Sequence, residues 1–218
     1  MYLSHVLSAG TPVYGDNPRF ACEPYREMAK GDSSNAAVVR LHGHTGTHVD
    51  APRHFAPAGR TVDTLRPEEL RFERVALVDV PATPGELVGP ERLEPVADDL
   101  VDADILLLRT GAERWRGGDS YVSSNPGLAP DLAGWLRERA AGLRAVGMDS
   151  VSISSYRHRE VGREAHRRFL APEHGRPFLL VEDMALSEVD GRISQVWVLP
   201  MRILEADGAP CTVVGLVD

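Results

Sequence analysis

The sequence has few of the residues on which several classes of protein depend. It contains two cysteines, Cys22 and Cys211, far apart in the chain, and a single lysine, Lys30. Two isolated cysteines argue against a disulfide-stabilised secreted domain and against a cysteine-based metal site. The longest apolar runs, such as "ILLL" at 105–108, are too short to span a bilayer.

The overall charge argues against a nucleic-acid-binding function. The net charge is −8 at neutral pH, whereas a nucleic-acid-binding domain usually carries a concentrated basic face. The basic stretch 155–168 is interleaved with glutamates, so we interpret it as the solvated side of a helix. The amino-terminal residues do not have the basic region and long apolar region of a signal peptide. We therefore expect a cytoplasmic protein that binds neither nucleic acid nor membranes.

The order of apolar patterns predicts the fold class. Short apolar runs typical of buried strands lie at 74–80, 104–110, 145–153 and 177–183. Apolar residues at helical spacing predict helices over 129–143 and about 159–171. The last third of the chain has the pattern of strands joined by a turn at "EADGAP". This order predicts an α/β protein with a mixed β-sheet and flanking helices, as a single domain over residues 1–218.

Four of the eight histidines lie in one short segment, HGHTGTHVDAPRHF, at residues 42–55. Its glycines and β-branched residues disfavour a helix, and its proline restricts the preceding residue to extended geometry. In an extended chain, His48 and Asp50 would point to the same face. The glycines would let the backbone turn and bring His44 to the same point. Two imidazoles and a carboxylate suit zinc, manganese or iron, and His54 would lie beside them.

The segment also carries a resemblance to a known family. Residues 44–54 match the pattern H-x-G-T-H-x-D-x-P-x-H of the cyclase-like metal-dependent hydrolases, which include bacterial kynurenine formamidase. Other segments agree with this family in order, so the resemblance covers essentially the whole chain: 10–18, 104–111, 125–136, 146–153, 165–171 and 176–186. It implies a swivelling β/β/α-like domain and a homodimer or homotetramer.

The resemblance implies a set of metal ligands. Formamidase-type members hold a pair of zinc ions. By this resemblance, His44, His48 and Asp50 of this chain would hold the first ion. Asp50 and Glu182 would bridge to a second ion, which His166 would bind. Some relatives work with a single metal, often manganese, held chiefly by the first three ligands. We therefore expect one or two divalent ions, with zinc preferred to manganese.

The residues of the second ligand segment leave alternatives open. Glu182 lies near the end of a predicted buried strand, where a carboxylate is costly without a cation or another partner. An arginine could serve as that partner instead. His166 has several nearby competitors: His158, His174, Glu160, Glu164 and Glu173.

The resemblance further implies that His54 transfers protons and that Tyr14 borders the substrate. A divalent ion lowers the pKa of bound water and so supplies a hydroxide nucleophile near neutral pH. The sequence has no G-x-S-x-G motif and no glycine-rich phosphate loop, so neither a serine nucleophile nor a nucleotide is indicated. We predict a metal-dependent hydrolase of an amide, ester or lactone carbonyl, with an arylformamide such as N-formylkynurenine as the leading substrate.

Two other functions fit the same residues. One is a ring-forming or ring-opening cyclase or lyase of a biosynthetic pathway, which product analysis would distinguish from a hydrolase. The other is a non-catalytic metal-binding protein. A structural zinc site normally has four cysteine or histidine ligands, whereas this set mixes carboxylates with a spare histidine.

Overall fold

The computed structural model describes all 218 residues and contains twelve strands, four α-helices and nine short 3₁₀ helices. The strands are β1 (Ala21–Arg26), β2 (Ala36–Arg40), β3 (His48–Asp50), β4 (Arg71–Phe72), β5 (Val75–Asp79), β6 (Leu87–Val88), β7 (Ile105–Arg109), β8 (Gly127–Leu128), β9 (Ala145–Met148), β10 (Leu179–Glu182), β11 (Ile193–Pro200) and β12 (Gly208–Val217). The helices are α1 (Ala97–Leu100), α2 (Ser120–Ser123), α3 (Leu132–Arg139) and α4 (Arg159–Leu170). None of the helices has the length and apolar character needed to cross a lipid bilayer.

Eight of the strands form one mixed sheet in the order β4-β11-β12-β3-β10-β9-β7-β5. The strands from β10 to β5 run parallel, whereas those from β4 to β3 are antiparallel, and β3 pairs antiparallel with β10. The two halves of the sheet therefore meet at β3. Strand β5 also approaches β11, so the sheet is nearly closed. Two small pairs, β1-β2 and β6-β8, lie outside it.

Apolar side chains are buried on both faces of the parallel strands. In β7, Leu106 and Leu108 pack against the cluster under α3 and α4, while Ile105 and Leu107 pack into the cluster on the opposite face. All four are fully buried, and each such side chain contributes about 1.5–3 kcal/mol through its burial. Burial on both faces explains why these strands are continuous apolar runs in the sequence. The predicted α/β class with a mixed sheet is confirmed.

Two predicted elements are shorter than expected. The helix predicted over 129–143 spans Leu132–Arg139 and ends where Ala140 leaves the helical conformation (φ −125°, ψ 75°). The strand predicted over 145–153 ends at Met148. Beyond it, the Asn125 side-chain amide donates to the carbonyls of Ser152 and Ser154. Those side-chain contacts hold the backbone in a loop instead of a longer strand.

A buried charged network fixes the end of β10. Asp183 has a positive φ of 52° and accepts two hydrogen bonds from the guanidinium of Arg116, at 2.8 and 2.6 Å. The Tyr121 hydroxyl donates to the same carboxylate. Breaking a buried ion pair of this kind costs about 3–5 kcal/mol. The network thus holds the chain reversal directly after Glu182, the last residue of β10.

Candidate metal centre and active site

Pairing of β3 with β10 brings one imidazole and two carboxylates together. His48 and Asp50 lie two residues apart on β3 and therefore point to the same face. Glu182 lies directly opposite His48 in the register of β10, and cross-strand partners project to the same side of a sheet. All three side chains are at most 4% exposed. The sheet itself thus builds a buried cluster where its two halves meet.

Two glycines allow the His44 side chain to reach this cluster. Gly46, between His44 and β3, adopts a left-handed conformation with φ of 63°, which favours glycine. Gly208 lies opposite Asp50 in β12, and a Cβ there would come within 2.4 Å of His44 Cε1. The missing side chain leaves room for the imidazole. His44 Nδ1 accordingly lies 2.7 Å from Asp50 Oδ1.

His166 completes the cluster from helix α4. Its Nδ1–H donates to Gly162 O in the preceding turn at 2.9 Å, so its Nε2 faces the carboxylates. That atom lies 3.6 Å from Asp50 Oδ2 and 3.4 Å from Glu182 Oε1. His166 is buried, whereas two of its predicted competitors, His158 and Glu160, are exposed. The structure therefore brings together all five residues predicted as ligands.

The donor atoms of the cluster fit a divalent cation. His48 Nδ1–H donates to Gly46 O at 2.8 Å, which leaves Nε2 only 3.3 Å from both Asp50 Oδ1 and Glu182 Oε2. His48 Nε2 and Asp50 Oδ2 are buried without a hydrogen-bond partner. Such unsatisfied buried atoms are rare, and a bound ion is one explanation for them. Imidazole nitrogens and carboxylate oxygens are the ligands that zinc prefers in catalytic sites.

The charges in the cluster are strongly coupled. Burial alone would lower the pKa of His166, but Asp50 and Glu182 outweigh it and raise the pKa to about 10. Burial likewise opposes the effect of Asp50 and Asp207 on His44, whose pKa rises to about 9. The carboxylates therefore keep protons on these imidazoles in the metal-free protein. A cation would displace those protons, so its binding would strengthen as the pH rises.

His54 lies at the edge of the cluster, with a ring nitrogen within 4.8 Å of donor atoms of Asp50 and His166. It ends the short 3₁₀ turn Pro52–His54, and its ring lies 4.0 Å from that of His44. Its Nδ1 lies 2.8 Å from Asp207 Oδ2, and the same oxygen lies 3.0 Å from His44 Nε2. Asp207 was missed in the sequence, where it has only the local pattern of a turn residue and lies 163 residues from His44.

A cavity of about 370 Å³ opens over the cluster. Tyr14, which the resemblance places at the border of the substrate, lines this cavity, and its ring contacts that of Tyr156 edge-on, with the ring centres 5.6 Å apart. The exposed side chains of Arg159 and Arg163 also line it, so part of the basic stretch 155–168 faces the cavity and not only bulk solvent. A larger groove of about 810 Å³ lies elsewhere and contains no histidine. The smaller cavity is therefore the candidate active site.

Comparison with known proteins identifies the family. The sequence model of the cyclase family, described as "Putative cyclase", matches residues 1–155. The chain belongs to the cyclase family. Cyclase-like protein 2 of Oryza sativa subsp. japonica is 30% identical over 217 residues, covering 95% of this chain and 75% of the relative. Kynurenine formamidase of Geobacillus thermodenitrificans is 28% identical over 210 residues, covering 95% of this chain and 92% of the relative.

Solved structures share the fold. An isatin hydrolase bound to thioisatinate superposes with a TM-score of 0.83 at 18% identity, covering 100% of this chain and 92% of that chain. Isatin hydrolase A from Labrenzia aggregata also has a TM-score of 0.83, at 22% identity with 100% and 93% coverage. The predicted cyclase-family membership is confirmed, and the relatives and the histidine–carboxylate cluster support the predicted metal-dependent hydrolase class.

Proposed function

We propose that this chain hydrolyses a carbonyl compound of the amide, ester or lactone type, with an arylformamide such as N-formylkynurenine as the leading substrate. The buried histidine–carboxylate cluster at the floor of the cavity carries this proposal, because its donor atoms, two of them unsatisfied, suit a cation and His54 lies next to it. The similarity to proteins named kynurenine formamidase supports the substrate.

Each residue of the cluster has a proposed part in holding the metal. His44, His48 and Asp50 would hold a first ion, while Asp50 and Glu182 would bridge to a second ion bound by His166. Zinc fits this donor set best, and manganese is the alternative. When bound, the metal would supply Lewis acidity towards a carbonyl oxygen and lower the pKa of water.

The remaining residues would handle protons and the substrate. His54 can accept a proton at Nε2, because its Nδ1 lies against Asp207, and can return that proton to the leaving nitrogen or oxygen. Tyr14 and Phe55 line the cavity and offer apolar ring surfaces to an aromatic substrate. The cationic side chain of Arg159 lines it as well and suits a substrate that carries a carboxylate.

The metal content of protein purified without added metal, paired with hydrolysis of N-formylkynurenine, tests this function. We expect about two zinc ions per chain and turnover that a chelator abolishes and zinc restores, as in two-metal hydrolytic sites. Isatin serves as a cyclic amide for comparison. Hydrolysis of isatin alone would contradict the arylformamide substrate, and metal-loaded protein that hydrolyses neither compound would contradict both substrates.

We propose further that the chain forms a homodimer or homotetramer. The β1-β2 hairpin supports this, because its strand residues are almost wholly exposed and include the apolar side chains of Tyr25, Val38 and Val39. An isolated two-stranded hairpin is at best marginally stable in water, so a second copy covering it would stabilise it. We expect light scattering to give two or four times the chain mass of 23.8 kDa. A mass of one chain would contradict the proposal.

A further inference from the structure

One carboxylate oxygen joins the cluster to His54. Asp207 Oδ2 lies 2.8 Å from His54 Nδ1 and 3.0 Å from His44 Nε2. Both nitrogens must therefore carry the proton and donate to this oxygen, since a carboxylate only accepts. Asp207 lies in the turn between β11 and β12. The pattern of turn residues in the sequence predicts this turn, but it does not indicate that Asp207 belongs to the site.

The backbone holds this turn firmly in place. Ala51 N–H, one residue beyond Asp50, donates to Asp207 O at 2.9 Å, and Val62 N–H donates to Ala206 O at 2.9 Å. Glu205 N–H in turn donates to the Asp63 carboxylate at 3.0 Å. The Asp207 side chain is therefore positioned by the same strand that carries the cluster, although it remains 47% exposed.

The two hydrogen bonds select one tautomer of each imidazole. A proton on His44 Nε2 leaves Nδ1, which lies 2.7 Å from Asp50 Oδ1, as the ring nitrogen that would give up its proton to bind a metal. A proton on His54 Nδ1 leaves Nε2 free to accept a proton. A carboxylate behind a metal-binding histidine typically fixes its ring and strengthens it as a ligand, and a carboxylate behind a catalytic histidine fixes its tautomer and stabilises its charged form.

We propose that Asp207 is a positioning residue shared by two histidines: through His44 it strengthens metal binding, and through His54 it sets the proton-accepting nitrogen. The inference rests on the proposed function for the roles of His44 and His54. A single substitution at Asp207 should therefore weaken two separate properties of the enzyme.

The test compares Asp207→Asn with Glu205→Gln, which removes a different carboxylate from the same turn. For Asp207→Asn we expect about a 10–100-fold loss of zinc affinity, measured by chelator competition, as for other outer partners of metal ligands. We also expect kcat to fall by about 10²-fold or more with KM little changed. The amide NH₂ introduced by this substitution can donate to His54 Nδ1 and so stabilise the tautomer in which Nε2 carries the proton and cannot accept one. Glu205→Gln should change neither property.

A double substitution separates the two roles. In a His54→Ala background, Asp207→Asn should lower kcat by less than about threefold, since residues acting through one group are not additive, yet still weaken zinc binding. A full further loss of kcat would overturn the role through His54. Unchanged zinc affinity in Asp207→Asn would overturn the role through His44. Loss of a whole ion per chain would show that Asp207 is itself a ligand and overturn the proposal.

A spectroscopic readout keeps the inference testable apart from any substrate. In metal-loaded protein, ¹⁵N chemical shifts of the His54 ring should show a protonated Nδ1 and an unprotonated Nε2. Asp207→Asn should change that pattern, whereas Glu205→Gln should preserve it. Failure of the hydrolysis assay with this pattern intact would contradict the proposed substrate alone, whereas an Nε2-protonated His54 in the unsubstituted protein would overturn the role of Asp207.

Discussion

Replacing Asp50 by asparagine will leave a folded protein that retains less than about one tenth of its metal and hydrolyses its substrate at least about 10³-fold more slowly. Asp50 is fully buried, and its carboxylate lies near all three histidines of the cluster, at 2.7 Å from His44, 3.3 Å from His48 and 3.6 Å from His166. No other residue has this position. Removing its charge takes away the proposed bridge and the anion that attracts a cation.

The control for this prediction is Asp104→Asn. Asp104 is also buried, at 4% exposure, but it accepts hydrogen bonds from the backbone of Glu73 and Arg74 at the amino-terminal end of β7. The Asp104→Asn substitution should therefore destabilise the protein without changing its metal content. Elemental analysis measures the metal content of each variant, and an assay measures its hydrolysis rate. Circular dichroism confirms that each variant is folded. An Asp50→Asn protein with full metal content and turnover would show that the cluster is not the metal centre.

Elements whose pattern is local could be predicted from the sequence. Strand β7 has four apolar residues in a row because both its faces are buried, and α4 repeats apolar residues at helical spacing. The strand predicted over 145–153 was too long, since nothing near Met148 shows that Asn125, more than twenty residues earlier, binds the following backbone. Long-range side-chain contacts decide such boundaries, and no short window of sequence contains them.

The same distinction applies to the candidate site. His44, His48 and Asp50 could be found because they and two glycines occupy eight consecutive positions, 43–50. Glu182 and His166 needed the family resemblance, since only strand pairing and the packing of α4 bring them to β3. Asp207 was missed because an Asp-Gly pair between two strands is itself a sufficient turn signal. The contact between Asp207 and His44 depends on Gly208, whose lack of a side chain leaves room for the His44 ring.

Replacing His54 by alanine will separate metal binding from catalysis. His54 lies at the edge of the cluster, is 26% exposed and lines the cavity, whereas the buried side chains face one another without it. The variant should keep its metal content within about twofold and lose about 10²–10⁴-fold in kcat, the usual contribution of a general acid–base group. KM should change little, because the apolar walls of the cavity remain.

His158→Gln is the matched control, since it removes an exposed histidine beside α4 and should leave kcat unchanged. Added imidazole should restore part of the activity of His54→Ala, because the space vacated opens into the cavity and a diffusible base can enter it. Metal loss in His54→Ala would make the residue a ligand, and undiminished kcat would assign proton transfer elsewhere. Retained metal with lost and rescuable turnover would also argue against a non-catalytic metal-binding protein, because a structural site does not need a free base beside its ligands.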